Sequence, residues 1–407
     1  MKQKSRVASV AVSFAATSFL LSACALSGGQ TSQSGGADPG VDVGAKTVNI
    51  GAFVPQTGPV PSYKLIAEGA KAYFDWANAN GGVDGWKINY TQLDDGYDPA
   101  RSLAAARELV DKHHIFALVA PIGTPTNSAV QPYAIAQNLP VVGPVGGDPT
   151  MAALPNYFVL LPNYYDEAKL DTTYGVKSLG AKKIAVLYEN DDLGKPALQG
   201  VKDAVSELGV DLVAEEAFNV KDTDLTAQIT KAKEAGADLT VVWGSNGNVS
   251  TAVTTADRLG FDTQFFAPFF TADPSTYALA GPALDGTMFG SWLLPTTDPS
   301  DSVQEAYVKQ MTSAGQSGDI GVFSLNGWTN AALFAVGLQK TVADGGTPTR
   351  QGLYDALDGL SDQAVGGAPS VTFSAGNHAG TRSLSIIQAG NNAFTTLTPE
   401  PIPFGSN

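Results

Sequence analysis

The chain has one cysteine and three histidines in 407 residues. A lone thiol closes no disulfide within the chain. Of the histidines, His113 and His114 are adjacent at the end of a helical stretch and do not face a common ion, and His378 is remote in sequence, so no metal site is expected. The acidic stretch "DDGYDP" (94–99) lacks the alternating ligands and final Glu of a calcium loop; Asp98-Pro99 there, like Asp191 and Asp192 later, reads as helix-entry chemistry. Basic residues are few, 24 Lys and Arg against 39 Asp and Glu, for a net charge of −15. That balance argues against nucleic acid or an anionic lipid surface as a partner. Beyond the N-terminus no apolar run is long enough to span a bilayer. The glycine-rich dinucleotide motif, the phosphate loop ending G-K-[ST], H-E-x-x-H and G-x-S-x-G are all missing. We expect no catalytic residue, no cofactor, no metal and no enzyme activity.

What is present begins at the N-terminus. Residues 1–23 join three basic residues to a short, small-residue-rich apolar stretch and read as an export signal. The segment ends in "LSAC", which looks like a bacterial lipobox, so Cys24 is expected to carry a lipid at the outer face of the cytoplasmic membrane. Residues 24–46, rich in Gly and Ser, read as a flexible linker whose mean reach is on the order of 25 Å. Removing residues 1–23, which carry three basic residues and no acid, deepens the net charge from −15 to −18.

From Thr47 onward, short apolar runs alternate with helical patterns. "TVNIGAF" precedes the helix "YKLIAEGAKAYFDWANAN"; "KINYTQLDD" precedes "PARSLAAARELVDK"; then come "IFALVAP", a helix from Asn127, and "PVVGPV". A second series runs from "KIAVLYEN" through "DLTVVWG" and "TQFFAP". The halves echo each other, since "QLDDGYDPARSL" and "YENDDLGKPAL" both pass from strand through an acidic pair, Gly and Pro to helix. The fold class is therefore α/β: two doubly wound parallel-sheet lobes, with ligands expected at the carboxyl ends of the strands. A helical return and a β-rich tail, "SLSIIQAGNNAFTTL", imply that the chain crosses between lobes more than once.

The order of "GAFVPQTGPVPSY", "NANGGVDGWKI", "DDGYDPARS", "IGTPTNSAVQP", "LPVVGP", "YENDDLGK", "DTDLTAQITKAKEAGADLTVVWG" and "RLGFDTQFFAP" resembles the leucine/isoleucine/valine-binding-protein family of extracytoplasmic solute receptors. The resemblance runs from Thr47 to about Leu360. It implies a type I periplasmic binding fold with three crossovers. Lobe 1 would span 47–161 plus 295–367, and lobe 2 would span 162–294 plus 368–407. It also implies a ligand enclosed between the lobes, delivery to an ABC permease in the membrane, and a monomer.

The family's site residues carry over position by position. The loop "PIGTPTNSAV" places Asn127 where a Ser of amino-acid binders holds the ligand carboxylate, with Thr126 beside it as a further ligand-binding candidate, and Gly146 and Gly147 at the next strand offer backbone N–H groups to a close oxygen. Asn127 could equally cap its helix. Tyr63 and Phe323 correspond to first-lobe aromatics, and Leu193 and Ser245 to second-lobe tyrosines. Phe269 stands where amino-acid binders place the acid that pairs with the ligand ammonium, so the resemblance implies a more apolar pocket. An aromatic or aliphatic carboxylate, an amide or an amino-acid-like compound would fit it. Asp222 could supply the missing charge, and Trp243 and Trp328 could add walls. A ligand-sensing receptor module and a branched-chain amino-acid binder are the alternatives.

Overall fold

A computed structural model of the chain describes residues 37–293 and 302–405. The expected export signal and Cys24 lie outside the described residues.

The first sheet is built from β1 (Val41–Asp42), β2 (Thr47–Val54), β3 (Lys87–Asp94), β4 (Ala117–Val119), β5 (Val141–Val142) and β6 (Tyr157–Phe158). Its parallel strands lie in the order β3-β2-β4-β5-β6, with β1 antiparallel to β2. The second sheet takes β7 (Lys183–Glu189), β8 (Asp211–Phe218), β9 (Leu239–Trp243), β10 (Gln264–Phe266) and β11 (Met288–Ser291) in the order β8-β7-β9-β10-β11. The two halves thus have one topology. In each, strand order reverses beside the first strand of the series, between β2 and β4 and between β7 and β9, where a crevice opens at the carboxyl ends. Central β9, "LTVVW", is buried along its whole length, as a strand covered by helices on both faces must be.

The helices of the first half are α1 (Lys64–Ala79), α2 (Pro99–Asp111) and α3 (Thr124–Ala136). Those of the second are α4 (Tyr164–Leu179), α5 (Gly194–Leu208), α6 (Thr226–Glu234), α7 (Asn246–Leu259) and α8 (Pro274–Ala280). Their ends follow local chemistry. Asp98 caps α2 by accepting from the Ala100 and Arg101 N–H groups, both at 2.9 Å, and Ser245 with Asn248 forms a capping box at α7. Gly180, Gly209 and Gly260 close α4, α5 and α7 in the left-handed region that favours glycine.

The returning segment supplies α9 (Ser302–Ser313), α10 (Val322–Val342), α11 (Arg350–Asp358) and the hairpin β12 (Gln363–Val365) and β13 (Ala368–Val371). Helix α10 packs along α1 at close range: a Cβ on Gly327 would sit 1.7 Å from the Ile66 carbonyl oxygen, and one on Gly69 would sit 1.9 Å from that of Ser324. The chain then rejoins the second sheet through β14 (Ser383–Gly390), antiparallel to β11, followed by β15 (Ala393–Thr396) and β16 (Ile402–Pro403). The 367/368 limit expected from sequence falls inside the β12–β13 hairpin, whose first strand packs against α10; the return to the second sheet comes at β14. Neighbouring crossovers are tied together: the Val159 N–H donates to the His378 carbonyl at 3.0 Å and the Gly380 N–H to that of Val159 at 2.8 Å.

The linker expected over 24–46 is anchored in its last part. Val41 and Asp42 pair with β2, the Asn49 N–H donates to the Gly40 carbonyl at 2.8 Å, and Asp38 accepts from the Arg350 N–H at 2.5 Å. Backbone pairing to the end of β2 that the short β4 leaves open outweighs the weak side-chain content of this stretch.

Candidate functional site

The carboxyl ends of both sheets face one small cavity. First-half residues Tyr63, Tyr97, Ile122, Gly123, Thr124 and Phe323 form one wall, and Tyr164, Leu193 and Phe270 close it from the second half. Tyr63 is its centre, with ring centroids 5.8 Å from Tyr97, 6.1 Å from Phe270 and 5.4 Å from Phe323. The free volume is about 10 Å³, room for about one water molecule. Any larger solute therefore requires the rings or the two halves to move apart.

Local sequence explains how these rings converge. Tyr97 sits at φ 60 after Gly96 at φ 59, a left-handed pair in "DDGYDP" that turns the phenol toward the crevice. Asp95 holds this turn, accepting from the Tyr97 N–H at 2.9 Å and the Ser102 hydroxyl at 2.7 Å. Tyr164 opens α4 and lies on Gly147, where a Cβ would come within 2.3 Å of its ring. Trp243, buried at the end of β9, backs Tyr164 at 5.7 Å.

The cavity's polar edge is sparse. The hydroxyls of Tyr63 and Tyr97 are buried without a hydrogen-bond partner among the described residues; outside the lining, both carboxyl oxygens of Glu189, the last residue of β7, are buried in the same way. Burial pushes the Tyr63 phenol well up, and the charge of Glu189 adds to the effect. Tyr97 is pushed up by burial, then by Tyr63, Glu189 and Asp191. Glu189 itself is pushed up to about 9, first by burial and then by the Asp191 charge.

The residues expected from sequence fall in several places. Tyr63, Leu193 and Phe323 line the cavity. Asn127 is fully buried and turned back on its own loop, its amide donating to the carbonyls of Gly123 at 2.7 Å and Pro121 at 3.1 Å. Thr126 likewise donates to the Ile122 carbonyl at 2.6 Å. Gly146 lies against Thr124, whose hydroxyl accepts the Gly147 N–H at 3.3 Å. Ser245 and Asp222 line a separate solvent-open groove of about 420 Å³ between Pro59 and α7, and Asp222 accepts from the Asn219 N–H at 2.8 Å. Phe269 is fully buried, edge-on to Trp292 at 6.0 Å, and its N–H donates to Glu167 at 2.7 Å. Trp328 packs between Tyr73 at 5.0 Å and Tyr307 at 5.7 Å, within the α1–α9–α10 core.

Residue-level reading missed Tyr97, Tyr164 and Phe270. A tyrosine after Gly in an acidic turn is the signal that could have found the first of them. Among the described residues no group of His, Cys, Asp and Glu is arranged to hold a metal ion, and no helix is long and apolar enough to cross a membrane.

Comparison with known proteins agrees with this architecture. The profile of the periplasmic binding protein family matches residues 47–393, and the chain belongs to that family. It is 22% identical over 299 residues, 72% of this chain and 79% of the relative, to Leu/Ile/Val-binding protein homolog 3 of Brucella melitensis. It is 24% identical, over 73% of this chain and 79% of the relative, to the leucine-, isoleucine-, valine-, threonine- and alanine-binding protein of Pseudomonas aeruginosa. Among solved structures, a fatty acid ABC transporter substrate-binding protein from Thermomonospora curvata superposes with a TM-score of 0.83 at 21% identity, over 91% of this chain and 95% of that one. A branched-chain amino acid ABC transporter structure from Thermus thermophilus with bound valine gives 0.80 at 20% identity, over 91% and 98%. The fold is that of a type I periplasmic binding protein.

Proposed function

We propose that this member of the periplasmic binding protein family is the solute-capturing component of an ABC uptake system, tethered outside the membrane by a lipid on Cys24. It takes a small organic solute with an apolar body, an aromatic or aliphatic carboxylate, an amide or an amino-acid-like compound, into the aromatic cavity by closure of its two lobes. The observation that carries this reading is the cavity itself, placed where the strand order of both sheets reverses and walled by rings from both halves.

Closure has visible contacts to work with. Besides the ring contacts, the Asn246 amide donates to the Ser62 hydroxyl at 3.2 Å and the Phe323 N–H to Asp273 at 3.1 Å. Both join the second half to the first. A branched-chain amino-acid binder is the second reading, favoured by the names of the relatives above.

The test is a thermal-shift screen of residues 37–407 with branched-chain and polar amino acids, aromatic acids, short fatty acids and amides. A true solute at about 100 times its Kd adds roughly 2.7 kcal/mol to stability. Leu193→Trp, which fills the cavity, should abolish that shift; a shift that survives the substitution puts the solute elsewhere.

A further inference from the structure

We infer that the solute is uncharged where it is enclosed, a neutral amide or related carbonyl compound on an apolar body, and that the hydroxyls of Tyr97 and Tyr63 receive its polar end. The inference rests on the reading that the solute occupies the aromatic cavity, and it narrows the solute classes left open there.

The lining contains no Asp, Glu, Lys, Arg or His. The donors that the resemblance assigns to a solute carboxylate are spent within the protein. Asn127 gives both amide hydrogens to backbone carbonyls, Thr126 gives its hydroxyl to Ile122, and the Gly147 N–H goes to Thr124. Phe269, at the place of the acid that would meet an ammonium, is fully buried in the core. Glu189 and Asp191 lie outside the lining: burial holds the first neutral up to about pH 9, and the second accepts the Leu193 N–H at 2.8 Å. A charge enclosed here would leave water for a site with no opposite charge to meet it.

Two polar groups are left over. Of the four hydroxyls in the lining, those of Tyr63 and Tyr97 are buried with no hydrogen-bond partner among the described residues. Their rings stand nearly perpendicular at 5.8 Å, and both come from the first half, one before α1 and one after β3. Burial pushes both phenols well up, so each keeps a proton to donate. A phenol donates one hydrogen and can accept another, and leaving it buried without a partner costs stability. An amide matches both roles, its carbonyl accepting and its N–H donating, and it is far easier to desolvate than an ion. The polar end would dock on the first half, and Tyr164, Leu193 and Phe270 would then close on the apolar body.

Four probes that share a phenyl ring and differ in charge give the test: 3-phenylpropionamide, 3-phenylpropionate, 3-phenylpropylammonium and phenylalanine. Titration calorimetry of the full chain at about pH 7 should show the amide binding at least about tenfold more tightly than each of the others. The acid should enter only in its protonated form. Its affinity should rise about tenfold per pH unit as pH falls toward the ordinary carboxylic range, with about one proton taken up per molecule bound, while the amide exchanges none. Tyr97→Phe and Tyr63→Phe, which keep the ring and remove the hydroxyl, should each weaken the amide by roughly 3- to 10-fold without lowering Tm. A purely structural hydroxyl would lower Tm instead.

The proposal is overturned if the amide does not bind, if a charged probe binds as tightly as the amide at about pH 7, or if both variants leave amide affinity within about twofold. Should the variants fail to fold, the probe ranking and the proton count on the unmodified chain decide alone. If a charged probe binds best and Leu193→Trp blocks it, the cavity stands and the uncharged solute falls. If the amide binds best and Leu193→Trp leaves its affinity unchanged, the cavity reading falls and the inference with it.

Discussion

Asp273 should act as a clasp between the lobes. It is 2% exposed and serves two partners: its Oδ1 caps α8 by accepting the Ser275 N–H at 2.9 Å, and its Oδ2 accepts the Phe323 N–H at 3.1 Å, at the start of α10. The first partner lies in the same half as Asp273, so the cap persists whether the lobes are open or closed. The second lies in the other half, so a motion that parts the halves should break it. Asp273→Ala loses about 1 kcal/mol of helix capping in both forms. In the closed form it loses a further charge-assisted bond to a helix N-terminus, about 1.5 to 3 kcal/mol. Only this second loss shifts the closing equilibrium, by roughly 10- to 150-fold. Where the open form predominates without solute, Kd measured calorimetrically should rise by that factor, while Asp273→Asn, which keeps an acceptor oxygen, should lose less. A Kd within about twofold of the unmodified protein, with Tm lowered by the cap alone, would refute the clasp.

The buried pair Glu167 and Asp171, one turn apart on α4, gives a pH prediction. Burial, and for Glu167 the neighbouring Asp171 charge, raises both carboxyls well above the ordinary range. A raised folded-state value means that their contribution is intact below the ordinary carboxylate range and is lost as pH rises through the folded value. Asp171→Asn should therefore melt higher than the unmodified protein at about pH 8, with the gap closing toward about pH 4; a gap that widens in acid would contradict the assignment. Phe269→Ala should cost about 3 to 5 kcal/mol in denaturant unfolding, because the ring is core, whereas Phe270→Ala should act chiefly on solute affinity. Gly327→Ala should lower the urea midpoint by about 3 kcal/mol or more in free energy, since its methyl would overlap the Ile66 carbonyl across the α1–α10 contact.

The α/β plan was legible because its signals are local. Apolar runs such as "KIAVLYE" alternate with helical stretches, and caps such as Asp98 and Gly209 stand where the chain stops and starts. The echo between "DDGYDP" and "ENDDLGKP" pointed to two similar lobes, and the two sheets have equivalent strand orders. The site was legible only where the resemblance carried a position over, as for Tyr63, Leu193 and Phe323. Asn127 behaves differently in its loop from a shorter Ser: its longer side chain reaches back to two carbonyls of the same turn, a local bond that competes with any solute. Phe269 and Phe270 are adjacent, yet only the second faces the cavity, because the short turn after β10 directs successive side chains to different sides. Tyr97 and Leu193 are about 100 residues apart and come to line one cavity only when the two switch points face each other. No window of sequence contains that information.

The central claim is that a small solute is held between the lobes and closes them. Small-angle scattering of the chain with and without a solute shown by calorimetry to bind tests it most directly. The radius of gyration should be smaller with solute, and the compaction weaker in Asp273→Ala at equal solute concentration. An unchanged radius at saturating solute would contradict it.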